Sequence, residues 1–379
     1  MKIVIAPDSY KESLSALEVA TQIEAGFREI FPDAEYIKLP VADGGEGTVE
    51  AMVAATGGRK VDVDVTGPLG AKVQAFFGLS GDEQSAFIEM AAASGLELVP
   101  GRQRNPLNTT SYGTGELIRS ALDHGVKHCI IGIGGSATND GGAGMVQALG
   151  ARLLDKNGDE IGFGGAQLEH LAAIDLSELD ARIAQCKFEV ACDVTNPLTG
   201  QEGASAIFGP QKGATPQMVA QLDRCLLHYA QVIAQDMAIE VGGVPGAGAA
   251  GGMGAALLAF CHADLRQGIE IVTEALGLDA LVRDATLVIT GEGRIDSQSI
   301  NGKVPIGVAR VAKRYNKPVI GIAGSLTADV GVVHQHGLDA VFSVLYSICT
   351  LEEALENAAD NVRMTARNIA ATIRLSQQI

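Results

Sequence analysis

Thr286-Leu-Val-Ile-Thr290-Gly-Glu-Gly-Arg-Ile-Asp296 takes up again, late in the chain, the pattern with which the chain opens, Lys2-Ile-Val-Ile-Ala6-Pro-Asp-Ser9. Each is a short β-branched run that breaks into a loop carrying Gly or Pro and an acid. Working outward from the second stretch, Ser15 caps an amphipathic helix to about residue 31, with Glu18 completing a capping box. Residues 35–39 read as a strand, Asp43-Gly-Gly-Glu-Gly-Thr48 as a loop, and 48–55 as a helix. From the first stretch, residues 304–315 read as a helix, 318–323 and 340–344 as strands, and 351–374 as a final helix. Strand, Gly-rich loop, helix, strand is the rhythm of a parallel α/β sheet.

The rhythm changes between these ends. Residues 60–65, 73–79 and 85–90 are strand-like and follow one another through turns, without helices, which predicts an antiparallel segment. One βα step follows at 128–133 and 143–149, among Ala-rich helices at 113–123, 217–234 and 253–263. The expectation is an α/β protein of two domains. One is discontinuous, built from residues 1–62 and 285–379; the other, 63–284, is inserted. An active site is expected in the cleft between them, facing the carboxyl ends of the strands.

Composition narrows the function. The 379 residues carry 45 Asp and Glu against 28 Lys and Arg, a formal net charge of −17. Such a chain is repelled by a phosphate backbone, so nucleic acid is not an expected partner. The apolar run at residues 1–6 stops at Pro7-Asp8-Ser9, unlike a secretory leader, and no segment reads as a membrane span. The six Cys are scattered and form no C-x-x-C pair, which fits a reducing cytoplasm.

Five loops stand out: Asp43 to Thr48, Gly132 to Gly142 and Gly291 to Ser299 trailing into Gly302-Lys303 join Gly to polar residues, Asp8 to Ser13 is polar, and Pro245 to Gly254 is rich in Gly. Glycine lets main-chain N–H groups approach a ligand, and at a helix N-terminus they favour an anion. No G-x-x-x-x-G-K-[ST] is present, since Val304 follows Gly302-Lys303, so a P-loop is excluded. Gly246-x-Gly248-x-x-Gly251 matches a dinucleotide pattern, but Gly and Pro precede it where a strand belongs. Asp8, Asp43, Asp140, Asp193 and Asp296 lie where apolar runs meet loops, where a carboxylate can bind Mg²⁺ or take a hydroxyl proton. Lys11, Arg294, Lys303, Lys212 and Arg104 are the loop cations, and for Lys212 and Arg104 a solvated charge is the favoured reading. The seven His show no zinc spacing. These residues support a two-domain α/β enzyme for a small phosphorylated or anionic ligand, with Mg²⁺.

In order along the chain, Ile5-Ala-Pro-Asp-Ser-Tyr-Lys11, Val41-Ala-Asp-Gly-Gly-Glu-Gly-Thr48, Ile133-Gly-Gly-Ser-Ala-Thr-Asn-Asp-Gly-Gly142, Ala191-Cys-Asp-Val-Thr-Asn-Pro-Leu198, Phe208-Gly-Pro-Gln-Lys-Gly213 and Thr290-Gly-Glu-Gly-Arg-Ile-Asp296 resemble the bacterial glycerate kinases. This is the ATP-dependent family without a P-loop. The resemblance spans essentially the whole chain. It implies a flavodoxin-like domain formed by both chain ends with a second α/β domain between. It also implies transfer of the ATP γ-phosphoryl group to D-glycerate with Mg²⁺, giving 2-phosphoglycerate, in glyoxylate or sugar-acid catabolism.

Phosphoryl transfer needs charge neutralisation, in-line positioning and a proton acceptor. Asp193, at a strand end before Thr195 and Asn196, is the candidate base, with Lys11 and Arg294 as catalytic cations. Asp296 and Asp43 are candidate Mg²⁺ ligands, with Asp8 in reserve. Candidate substrate and nucleotide contacts are Asp8, Ser9, Gly44, Gly45, Ser136, Thr138, Asn139, Asn196, Gly248, Gly252 and Lys303. The rival readings are a 3-phosphoglycerate product, a kinase of another small hydroxy acid, an NAD-dependent dehydrogenase and a metabolite-binding protein. Oligomeric state, monomer or homodimer, is open.

Overall fold

The computed structural model describes residues 1–377, which form two compact units. One contains Met1–Asp43, Glu50–Gly57 and the chain from Gly268 onward; the other contains Gly44–Val49 and Gly58–Gln267. In chain order the strands are β1 (Lys2–Pro7), β2 (Glu35–Lys38), β3 (Arg59–Thr66), β4 (Lys72–Leu79), β5 (Ser85–Glu89), β6 (His128–Gly132), β7 (Arg152–Leu154), β8 (Ala173–Asp175), β9 (Lys187–Ala191), β10 (Asp264–Arg266), β11 (Leu287–Ile295), β12 (Val319–Leu326) and β13 (Ala340–Ser343).

In the first unit a five-stranded, all-parallel sheet runs β13-β12-β11-β1-β2. Consecutive buried residues in β1, Ile3 to Ala6, show a strand covered on both faces. The helix Ala16–Arg28 starts where Ser15 and Glu18 close the capping box read from the sequence. It packs Val19, Ile23 and Phe27 with Val362, Ala366 and Ile369 of the helix Ala358–Ser376 over Ile3, Ile5, Ile289 and Ile322. From β1 the chain passes by a helix to β2 on one side; from β11 it passes by the helix Val304–Lys313 to β12 on the other. The strand order therefore reverses between β1 and β11. Open α/β sheets bind ligands at such a reversal, and here Asp8 lies just past β1 and Glu292 within the neighbouring β11.

In the second unit a six-stranded sheet runs β10-β9-β6-β5-β4-β3. β3, β4 and β5 are antiparallel neighbours, and β5, β6, β9 and β10 are parallel. The core joins Phe77, Ile88, Ile131 and Phe188 of this sheet to Leu117, Met145, Leu226, Tyr229 and Met253.

Some elements differ from the sequence reading. β11 does not end at Thr290: Glu292, Arg294 and Ile295 pair with Ala323, Ser325 and Leu326, so the Gly-Glu-Gly-Arg segment is strand rather than loop. The final helix breaks into Leu351–Glu356 and Ala358–Ser376. Asn357 Nδ2 donates to Glu353 O at 2.8 Å, competing with the helical ladder there. The β7-β8 pair, β10 and the helices Gly268–Ala275 and Leu278–Val282 lay outside the sequence reading.

Candidate active site

In the first unit, Asp8 just past β1, Asp43 beyond β2 and Glu292 within β11 act on one another through their charges. Asp8 follows β1 and its N–H donates to Gly291 O at 2.8 Å, fastening it to β11. Asp8 Oδ1 accepts from Ser9 N at 2.6 Å and Ser9 Oγ at 3.3 Å. Burial pushes the Asp8 carboxyl up to about 7, the Asp43 charge adds to this, the Ser9 N–H opposes it, and Glu292 also raises it. Glu292 Oε1 accepts from Ser299 Oγ at 2.5 Å, and its Oε2 lies 3.7 Å from Lys303 Nζ. Burial raises the Glu292 pKa; Ser299 and Lys303 hold it down, and Asp43 and Asp296 raise it further. Asp8, Asp43 and Glu292 thus share one field of like charge, with Lys303 at its edge.

Arg294 is exposed and its Nε lies 3.2 Å from Asp296 Oδ2. Asp296 Oδ1 accepts from Gln298 N at 2.9 Å and so caps the short turn Ser297–Ile300. The expected metal ligand Asp296 thus holds one protein group on each oxygen and keeps a lone pair on each. Among the described residues no three His, Cys, Asp or Glu side chains converge on a metal-sized point. Mg²⁺ commonly takes one or two carboxylates and completes its shell with water and phosphate, and the oxygen donors of Asp8, Asp43 and Glu292 suit that chemistry. Lys11 is exposed beyond Tyr10, whose hydroxyl is anchored to Ile322 O at 2.8 Å.

In the second unit, the loop after β6 turns its polar side chains inward. Thr138, Asn139 and Asp140 are fully buried and Ser136 nearly so, while Gly134 and Gly135 are exposed. Asp140 accepts from Ser111 N (2.9 Å), Ser111 Oγ (2.7 Å), Gly142 N (3.1 Å) and Gly144 N (3.3 Å). Burial raises its pKa, and these donors reverse only part of that rise. Asn139 Nδ2 donates to Ser205 Oγ at 2.9 Å. Thr138 Oγ1 and Asn139 Oδ1 are buried with no hydrogen-bond partner.

Lys212 overturns its reading as a solvated charge: it is 1% exposed. Its Nζ donates to Ser136 Oγ at 2.7 Å and Thr138 O at 2.6 Å. Burial pulls its pKa down to about 7, and the Asp140 charge partly restores it. Arg104 is half-buried, with Nη1 donating to Gln211 O at 3.3 Å.

The remaining candidates are placed as follows. Asp193 is exposed just beyond β9. Asn196 donates Nδ2 to Glu202 O at 2.8 Å. Gly248 and Gly252 are buried against protein: a Cβ on Gly248 would sit 2.1 Å from Pro197 O, and one on Gly252 would sit 2.9 Å from Gly141 Cα. That packing is reason enough for glycine at both. Gly44 has φ +92°, and Thr48 Oγ1 donates to Gly45 O at 2.6 Å. Glu292 and Lys212 are the groups that sequence reasoning left off its site list.

Comparison with known proteins places this arrangement in a family. A model described as the glycerate kinase family matches residues 3–374. A protein of Escherichia coli K12 named glycerate 2-kinase is 69% identical over 378 residues, covering 100% of this chain and 99% of that one. A Bacillus subtilis protein named glycerate kinase is 60% identical, covering 100% of this chain and 99% of its own. The crystal structure of a candidate glycerate kinase 2 from Salmonella typhimurium LT2 superposes with TM-score 0.94 at 73% identity, covering 100% of both chains. The chain belongs to the glycerate kinase family. Among the described residues no helix is long and apolar enough to cross a membrane.

Proposed function

We propose that the chain is a glycerate 2-kinase, transferring the γ-phosphoryl group of ATP to the 2-hydroxyl of D-glycerate and releasing ADP and 2-phosphoglycerate. One observation carries this reading: 69% identity, over the full length of both chains, to the Escherichia coli protein of that name. The reaction breaks the bond between the β,γ-bridging oxygen and the γ-phosphorus. It forms one from the glycerate oxygen to the same phosphorus, while the hydroxyl proton passes to a carboxylate.

Asp193 is the proposed proton acceptor; its exposure leaves it accessible to a hydroxyl. Asp43, with Asp8, would hold Mg²⁺, whose charge would offset that of the nucleotide phosphates, while Glu292 adds to the negative field around them. The like-charge field that lifts the Asp8 carboxyl to about 7 supports this, because a bound cation relieves it. Lys303 beside Glu292, with Lys11 and Arg294, would neutralise phosphate and carboxylate charge. ATP dependence, a cytoplasmic location and a place in glyoxylate or sugar-acid catabolism belong to the same proposal.

A coupled assay tests it: Mg²⁺-ATP and D-glycerate, followed by enolase without phosphoglycerate mutase. Direct formation of phosphoenolpyruvate is the expected result. A signal that appears only after the mutase is added would reassign the product to 3-phosphoglycerate. No ADP above a glycerate-free control, from folded protein, would remove glycerate as substrate.

A further inference from the structure

Lys212 is buried against a loop far from it in sequence. It ends the short turn Pro210–Lys212 that follows the helix Ala204–Phe208. Gly213 follows at φ +92°, packed so closely on Arg104 that a Cβ would lie 2.5 Å from Arg104 O. The side chain of Lys212 runs inward to the loop after β6, more than 70 positions away in sequence, where it meets Ser136 Oγ and Thr138 O. A lysine is almost never fully buried unless a specific interaction holds it there. Distances of 2.7 and 2.6 Å lie at the short, charge-assisted end of the hydrogen-bond range.

The Asp140 charge favours the ammonium form of Lys212, and in that form the chemistry of the donors fixes the proton on Ser136. An ammonium has three protons to give and no lone pair to accept with. Ser136 Oγ is therefore the acceptor of the Lys212 contact, and its own O–H proton must point elsewhere. Asp140, whose charge favours the ammonium form of Lys212, has its donors supplied by Ser111, Gly142 and Gly144. With Lys212 charged, the Ser136 hydroxyl is left to donate to another group, in a loop whose Gly134-Gly135 main chain is exposed.

We propose that Lys212 is a positioning residue: by donating to Ser136 Oγ and Thr138 O it fixes the loop after β6 and turns the Ser136 hydroxyl into a donor toward an oxyanion of a bound substrate. The oxyanion is a carboxylate or a phosphate oxygen. This deepens the kinase reading and rests on it for the identity of the substrates.

The test is a double-mutant cycle on the full chain with Lys212→Met, which keeps length and loses the donors, and Ser136→Ala. Melting temperature is followed for each variant. Each single variant is expected to raise KM for one anionic substrate by roughly tenfold to a hundredfold, with kcat changed much less. A rise for D-glycerate identifies the carboxylate as the partner; a rise for ATP identifies the phosphate. The double variant is expected to be no worse than Lys212→Met alone, because Ser136 then has no orientation left to lose.

Independent, multiplicative losses would overturn the proposal, as would KM values within twofold of wild type for both substrates in either single variant. If Lys212→Met does not fold, Ser136→Ala decides alone by the same KM criterion. If the wild-type protein turns over no glycerate, the kinase reading fails first. Calorimetry with inorganic phosphate then asks the question of the loop itself: binding weakened about tenfold or more in Ser136→Ala supports the proposal. Equal binding, or none to wild type, overturns it.

Discussion

Asp8, just past β1 in the first unit, has a carboxyl lifted to about 7 by burial and by Asp43, against the ordinary 3.8 of an unfolded chain. Between those two values the folded state binds more protons than the unfolded state, so this group makes stability fall as pH rises. Above about pH 7 its full cost is present; near pH 4 it is gone. Asp8→Asn removes that titration. With EDTA present, the variant is expected to melt higher than wild type at about pH 8 and at the same temperature near pH 4. Asp8 is half-buried, so solvent screening reduces the penalty. A gain of a few degrees is the expected size, at roughly 2–4 °C per kcal/mol for units of this length. Equal melting temperatures at the higher pH would show that the carboxyl ionises freely. Asp193→Asn addresses the chemistry instead. If Asp193 takes the hydroxyl proton, kcat should drop by about 10²–10⁴ while the melting temperature holds. Near-normal turnover from the folded variant would remove it from that role.

At the scale of elements, the sequence was most legible where local chemistry closes on itself. Ser15 and Glu18 cap each other within one turn, and both the pattern and the structure start the helix there. Thr66-Gly-Pro-Leu-Gly70 between alternating runs likewise gave β3 and β4 as an antiparallel pair. What stayed illegible depends on partners far off in sequence. Gly291 to Ile295 looks like loop by composition, and only the neighbouring β12 makes it strand. Lys212 looks solvated, and only a loop more than 70 positions away buries it. Of the candidate site, the five polar or Gly-rich loops could be read from the sequence. The inward turn of Thr138 and Asn139 and the place of Glu292 in the acid group could not. The packing of the Ala16–Arg28 helix on Ala358–Ser376 makes its own prediction. A Cβ on Gly26 would lie 2.3 Å from Arg363 O, main chain that has nowhere to retreat within a helix. Gly26→Ala should therefore destabilise the first unit by about 1–3 kcal/mol despite alanine's better helix propensity. Denaturant midpoints measure this, and a stabilised variant would mean that the two helices slide apart at little cost.

At the scale of the whole chain, the two units are unequal in how their cores are assembled. The large core of the second unit is drawn wholly from residues between Val65 and Ala263. Each of the six strands in its sheet lies beside a sequence neighbour, β3-β4-β5-β6 in succession and then β9 beside β10. The core of the first unit joins Ile3, Val19 and Phe27 from one chain end to Ile289, Ile322 and Ile369 from the other. Its central pairing, β1 with β11, closes only when both ends are present. A fragment covering Gly58–Gln267 retains nearly everything that holds its unit together. It lacks only Gly44–Val49, including the Val49 N–H donated to Glu89 Oε1 at 2.8 Å. A fragment from Gly268 onward keeps three strands and loses β1, and with it the strand on which Ile3 and Ile5 stand. Expressed separately, the first fragment should give a cooperative thermal transition and dispersed amide signals; the second should give neither. Adding residues 1–57 in trans to the second fragment should restore structure, because the missing partner of β11 is then supplied. A Gly268-onward fragment that folds alone would mean that β11, β12 and β13 with their helices suffice, and that the opening strand joins a sheet already formed.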